Sequence, residues 1–396
     1  MDMILENRFE RAQEAIESNN IDAWVFCGRE TNILSEPSML FLMPTQVAGR
    51  TTVVITKDER IIICGAMQME EMERSGLFTK HILFRTLSEY EEKIAEILKQ
   101  LPQCKKIALN MSESDSSSDG LTVTAYNMLQ RCFKTAGIEP EIVSSSPVMK
   151  MVRGKKSDTE LAGIQRAVNV AMEVYDEARP QMKRGMSGKD IQNLFKSIIR
   201  VKGAGYSWHE PENPYVSVGT RSSYLCKMPP DDVFIEPGDV INVDLGLKID
   251  GFASDDQRTF YALCAGETEP PEEVQRAFST LQQINSAVVK QMKVGADSGD
   301  LTAIGNEIML ANGYENGYKG AYGHELGIFA HAGGISSGLN TGQPDLDKTL
   351  EYNMTFTLEP SIITSRGRVC QEEVVVCKPD GGYFLSKPQT EIWLIP

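Results

Sequence analysis

The sequence predicts an α+β protein of two domains, a smaller α/β domain over residues 1–150 and a larger α+β domain over residues 151–396, and three observations predict it. At 396 residues the chain exceeds the ~250–300 residues at which a single hydrophobic core stops growing. Its first part alternates strand-like apolar runs (Ala23 to Cys27, Thr51 to Ile55, Ile61 to Cys64, Lys106 to Leu109) with amphipathic stretches such as Leu87 to Leu101. Near Met151 the pattern changes, and the basic residues Arg153, Lys155 and Lys156 lead into Ser157-Asp158-Thr159-Glu160.

That tetrapeptide has capping-box spacing, and Leu161, Ile164, Val168, Ala171 and Tyr175 then recur at helical intervals, so a long helix opens the second domain. Another helix follows over Gly188 to Val201, then strands near Tyr215 and Val240 and a helix over Pro271 to Met292. Strand-like runs at Met354 to Leu358 and Val374 to Cys377 close the pattern. The polar, Ser-rich segment Ser112 to Gly120 reads as an exposed loop without function.

Composition excludes some functions. A net charge of −15 and a pI near 4.9 oppose a nucleic-acid partner and favour a peptide or small-molecule substrate. No apolar run approaches the roughly 18 residues that span a bilayer, and Met1 to Glu17 is acidic where a signal peptide is apolar, so no membrane partner and a cytoplasmic location are expected. The eight cysteines form no C-x-x-C pair and read as reduced thiols. Any chemistry that needs imidazole must use His81, His209, His324 or His331, since there are four histidines.

The densest chemistry lies in a candidate hairpin. Asp239 to Phe260 reads as a strand, an Asp250-Gly251 turn and a returning strand. With that turn, Ile249 faces Phe252 and Asp244 faces Gln257, which makes Asp244 and Asp255 diagonal neighbours about 7–8 Å apart on one side of the ribbon. Asp256 points to the other. Two carboxylates among apolar strand residues require a cation, because an isolated buried carboxylate is costly.

Further ligand types follow. Gly323-His324-Glu325-Leu326-Gly327 is followed by His331 seven residues after His324, a spacing that is not H-E-x-x-H. Alternation over Met354 to Glu359 puts Thr355, Thr357 and Glu359 on the polar strand face. Glu372 and Glu373 precede the apolar run Val374 to Cys377, where an unpaired charge is unfavourable, so one of them needs a partner. Two Asp, two Glu and one His suit Mn²⁺, Co²⁺, Fe²⁺ or Zn²⁺, shared carboxylates bridge two ions, and the implied chemistry is hydrolysis by a bridging hydroxide.

These motifs, Asp244 to Asp255 within D-L-G…D-G-F-A-S-D-D, then G-H-E-L-G, Glu359-Pro360 and the glutamates before Val374, resemble the creatinase/prolidase/methionine aminopeptidase superfamily of pita-bread metallopeptidases. The N-terminal α/β domain and the basic linker are similar to its prolidase and Xaa-Pro aminopeptidase branch, so nearly the whole chain is covered. The resemblance implies a C-terminal pita-bread domain over 151–396, two divalent ions with Mn²⁺ or Co²⁺ foremost, and a homodimer. It implies that Asp244 chelates one ion, that Asp255 and Glu373 bridge both, and that His324 and Glu359 complete the coordination. Glu359 would also be the general base and His331 would steady the substrate carbonyl. Glu373 is preferred because it shares a strand face with Gln371, and Glu372 stays open.

One departure touches the substrate side. The branch places a substrate-binding histidine after a Gly-x-Arg-Ser segment, and here Gly219-Thr-Arg221-Ser is followed by Cys226 and Lys227. His209 could substitute from a neighbouring loop. The resemblance therefore implies an Xaa-Pro aminopeptidase or dipeptidase, with a creatinase-like or ectoine-hydrolase-like C–N hydrolase or lyase as the alternative. A non-catalytic pita-bread binding protein is the third reading.

Overall fold

A computed structural model describes residues 2–396 apart from 32, 34, 102–104, 223–227, 230, 315–321 and 333–348. Its contacts divide the chain into Met1–Ser157 and Asp158–Pro396.

The first unit is built on the strands β1 (Ala23–Arg29), β2 (Arg50–Ile55), β3 (Arg60–Gly65), β4 (Lys80–Phe84), β5 (Lys106–Leu109) and β6 (Glu141–Ser144), in the spatial order β4-β3-β2-β1-β5-β6. The sheet is mixed, with β1–β2 and β2–β3 antiparallel and the other pairs parallel. Leu87–Gln100 and Val123–Ala136 cover one face, where Ile94, Leu98, Leu129 and Phe133 pack with Val25, Val54 and Ile107. The unit ends seven residues past the expected boundary for a local reason. Lys150–Gly154 forms a π-helical turn, which Arg11 ties down by donating to the Val152 carbonyl at 3.1 Å. Arg153 donates to Asp115 at 2.6 Å with both side chains buried. The expectation of an exposed loop at 112–120 is corrected by the same ion pair, since Asp115, Ser117 and Ser118 are buried beneath Arg153.

The second unit carries the strands β7 (Gly205–Tyr206), β8 (Tyr215–Val218), β9 (Val240–Leu245), β10 (Leu247–Ile249), β11 (Phe252–Ala253), β12 (Asp256–Ala262), β13 (Thr355–Leu358), β14 (Ser361–Thr364), β15 (Gly367–Cys370), β16 (Glu373–Val376), β17 (Tyr383–Phe384) and β18 (Trp393–Ile395). They pair as β18-β12-β9-β8, β11-β10-β7, β13-β16-β17 and β14-β15. Helices Asp158–Ala178 and Gly188–Lys202 pack on one side, against Ile241, Val243, Leu245 and Phe260. Glu272–Gln291 and Ser298–Ala311 pack with Val240, Tyr261, Phe356, Leu358 and Val375. The period-2 alternation of β9 thus sends its odd-numbered residues to the first helix pair and leaves Asn242 and Asp244 on the opposite face.

The hairpin has the register that its turn chemistry predicts. Asp250 and Gly251 both have positive φ, +49° and +86°, as a type I′ turn requires. Ile249 pairs with Phe252 and Asp244 with Gln257. Among the described residues no helix is long and apolar enough to cross a membrane, and the described cysteines are unpaired.

Candidate metal centre

Five side chains of the second unit converge: Asp244 near the end of β9, Asp255 from just before β12, His324, Glu359 just after β13, and Glu372 just before β16. Carboxylate oxygens of Asp244, Asp255 and Glu372 lie within 4.8 Å of one another, as do ligand atoms of His324, Glu359 and Glu372. His324 Nε2 stands 3.6 Å from Asp255 Oδ2, 3.5 Å from Glu359 Oε1 and 3.9 Å from Glu372 Oε1.

Local backbone pairing explains how the histidine arrives. Residues 323–326 run against β13, with Thr357 N donating to the His324 carbonyl at 2.9 Å and Leu326 N to the Thr355 carbonyl at 3.0 Å. Gly323 permits this approach, because a Cβ there would sit 1.8 Å from the Thr357 carbonyl oxygen. With Nδ1 donating toward the Glu325 carbonyl at 3.5 Å, Nε2 turns its lone pair to the carboxylates. Burial pushes the His324 pKa down to about 4, so the ring is neutral, the form that binds cations.

Electrostatics give the test of fit. Burial pushes Asp244 up to about 7 and Asp255 and Glu372 well above the usual carboxylate range, and the mutual repulsion of these acids adds to it. Glu359 is raised too, mainly by burial, and Arg368 on β15 opposes the rise. Both oxygens of Glu372 and Oδ1 of Asp244 are buried without a hydrogen-bond partner among the described residues. Buried acceptors that the protein leaves unsatisfied around one point, beside a neutral imidazole, are the donor set that divalent cations take. The residues therefore fit the ions.

The structure brings together Asp244, Asp255, His324 and Glu359 as the sequence expects, and it corrects Glu373. Glu373 lies outside the cluster and is fully engaged, accepting from Arg258 at 3.0 Å, Gln371 at 2.9 Å, Ser386 at 2.7 Å and the Gln389 amide at 2.9 Å. Leu358 pairs with Glu373 across β13 and β16, so continuing that register by one residue sets Glu372 opposite Glu359. Asp256 lies away from the cluster, 3.8 Å from Arg258.

The other candidates divide. The exposed His331 has its ring 4.4 Å from that of His324 and joins Asp255 and His324 in a further triad of ligand atoms. His209 is exposed and stands 3.6 Å from Glu212, not against the cluster. Arg221 is paired with Asp239 and, at 2.6 Å, with Glu236. Cys226 and Lys227 lie outside the described residues. Three further residues contribute; the hairpin register places Gln257 opposite Asp244, and the other two carry no expectation from the sequence. Gln257 donates to Glu359 at 3.3 Å, Arg368 is the cation nearest in effect to Glu359 and Asp244, and Trp208 packs its ring 6.4 Å from that of His331. A basic residue inside the strand pattern Gly-Arg-Val-Cys was the available signal for Arg368.

Comparison with known proteins agrees with this architecture. The chain is 21% identical to an Xaa-Pro dipeptidase of Pyrococcus horikoshii over 98% of its own length and 99% of the relative's. It is 24% identical to the putative dipeptidase YkvY of Bacillus subtilis, covering 84% and 85%. Among solved structures, an Xaa-Pro dipeptidase from Bacillus anthracis superposes with a TM-score of 0.75 at 21% identity over 99% of this chain and 100% of that one. Dipeptidase PepE from Mycobacterium ulcerans gives 0.77 at 17% over 100% and 99%. These likenesses show the fold, a pita-bread domain following an α/β domain. The model of one family of divalent-metal peptidases matches residues 162–379, a span that holds all five converging side chains and more than half of the sequence, and the chain thus belongs to metallopeptidase family M24.

Proposed function

We propose that this chain hydrolyses Xaa-Pro bonds in short peptides, using two divalent cations held by Asp244, Asp255, His324, Glu359 and Glu372. The observation that carries the proposal is the set of buried carboxylate oxygens on Asp244 and Glu372 that no donor among the described residues satisfies, facing a neutral His324. Mn²⁺ and Co²⁺ suit a set of hard oxygen donors with one imidazole. Such ions would supply Lewis acidity and acidify water near neutral pH. The prolyl specificity is supported by the Xaa-Pro dipeptidases among the relatives.

The protein's own groups do the rest. Glu359 takes the proton of the attacking water, and Gln257 orients it by donating to Oε2. His331, at the exposed margin of the cluster, donates to the substrate carbonyl oxygen as negative charge develops there. Arg368 opposes the rise that burial causes in the Glu359 pKa and so favours its carboxylate form. A homodimer belongs to the same proposal and rests on the family resemblance.

The test is a digest of Xaa-Pro and Xaa-Ala peptides by protein whose metal content is counted by elemental analysis, before and after chelation. Prolyl peptides should be cleaved, with activity falling on the order of 10³-fold after chelation and returning with Mn²⁺ or Co²⁺. Full turnover by metal-free protein, or no cleavage of any peptide by loaded protein, rejects the reading. Turnover confined to small C–N substrates would favour the creatinase-like alternative.

A further inference from the structure

The loop after β7 is bound to the catalytic hairpin at both of its ends. Ser207 N donates to the Gly246 carbonyl at 3.1 Å, and its hydroxyl donates to the carbonyls of Leu247 at 2.6 Å and Ser254 at 3.1 Å. Asn213 returns to the same Gly246 carbonyl at 2.6 Å. Between these anchors Trp208 lies on the Gly246 backbone, where a Cβ would come within 1.9 Å of its Cζ3. Gly246 is two residues beyond Asp244, so the indole stands beside the carboxylate cluster.

The ring is only half buried and packs in neither core of this unit, unlike Trp393, which packs on Phe260 and Tyr175. It stands 6.4 Å from the ring of His331, which is itself 4.4 Å from that of His324. Three rings therefore stand in series from the cluster, His324, His331 and Trp208, and the last is a large apolar side chain anchored on backbone and left partly exposed. His209, the neighbouring residue, turns to Glu212.

We infer that Trp208 is a specificity-determining residue whose indole face receives the prolyl ring of the substrate beside His331. The inference rests on the Xaa-Pro reading above. The three methylenes of a pyrrolidine ring form a compact apolar surface that can lie against an indole face, whereas an alanyl methyl leaves most of that face wet. A difference of this size in buried hydrocarbon corresponds to roughly 10-fold or more in discrimination.

Two measurements test it. In metal-loaded enzyme, Trp208→Leu should raise KM for an Xaa-Pro dipeptide about 10-fold more than for the matching Xaa-Ala dipeptide, chiefly in KM and not kcat, with Trp208→Phe restoring most of the preference. Equal losses on both substrates, or a loss that follows metal content, would assign Trp208 a structural role and overturn the inference. Separately, L-proline should quench the tryptophan fluorescence of the wild type saturably and that of Trp208→Phe far less. Cleavage of prolyl peptides without such a quench overturns the role of Trp208 and leaves the Xaa-Pro reading standing, whereas a wild type that neither cleaves nor responds removes both.

Discussion

Glu372→Gln should abolish most of the activity while Glu373→Gln should mainly loosen the fold, although the two residues are adjacent. Glu372 has two buried oxygens without protein partners, so removing its charge is expected to lower bound metal and to cut kcat on the order of 10³-fold. Glu373 has donors on both oxygens, among them Arg258, whose side chain is 1% exposed. Neutralising Glu373 leaves the guanidinium buried with a weaker partner, and breaking such a pair costs about 3–5 kcal/mol. For a unit of this size that is on the order of 10 °C in unfolding temperature. Elemental analysis and thermal unfolding of the two variants separate the roles. A Glu373→Gln protein that keeps its stability but loses its metal would restore Glu373 as the ligand.

Removing the cations should have the second large effect, with a pH dependence of defined sign. Loss of a ligand present at 100–1,000 times its dissociation constant costs about 3–4 kcal/mol, which for the second unit corresponds to roughly 10 °C. In chelated protein the carboxylates of Asp244, Asp255 and Glu372 have folded-state pKa values raised above their unfolded values of roughly 4. Their protonated forms favour the folded state, so that contribution is complete below about pH 4 and is lost as the pH rises through the raised folded values, about 7 for Asp244. Chelated protein should therefore unfold at lower temperature at pH 8 than at pH 5, and added Mn²⁺ should reverse much of that loss. Calorimetry at the two pH values, with and without cation, checks this. Chelated protein that gains stability toward pH 8 would contradict the burial of these acids.

How much of the site could be read from the sequence depended on whether its geometry is local. Asp250-Gly251 fixes the hairpin register, so the relation of Asp244 to Gln257 and Asp255 followed from turn chemistry. Glu359 followed from the alternation of one strand. The choice between Glu372 and Glu373 did not, because it depends on the register of β16 against β13, which are separated by the β14–β15 hairpin. Parity with Gln371 describes one strand only, and it selected the residue that serves Arg258. The unit boundary moved for a similar reason, since Arg153 reads as part of a basic linker until Asp115 is seen beneath it. Trp208 carries no motif, and its meaning comes from the bare backbone of Gly246 below it.

The scatter of the cluster along the chain also bears on how the protein acquires its cations. Gln257 and Glu359 touch across 102 residues of sequence, whereas Asp244 and Asp255 stand on a single hairpin. A chain emerging from the ribosome therefore displays a pair of carboxylates long before it owns Glu359 and Glu372, and such an open bidentate site releases hard ions readily. In the proposed site the full donor set exists only once the Gln257–Glu372 bridge has formed, which couples tight metal binding to a long-range contact and leaves incomplete chains with little hold on the ions.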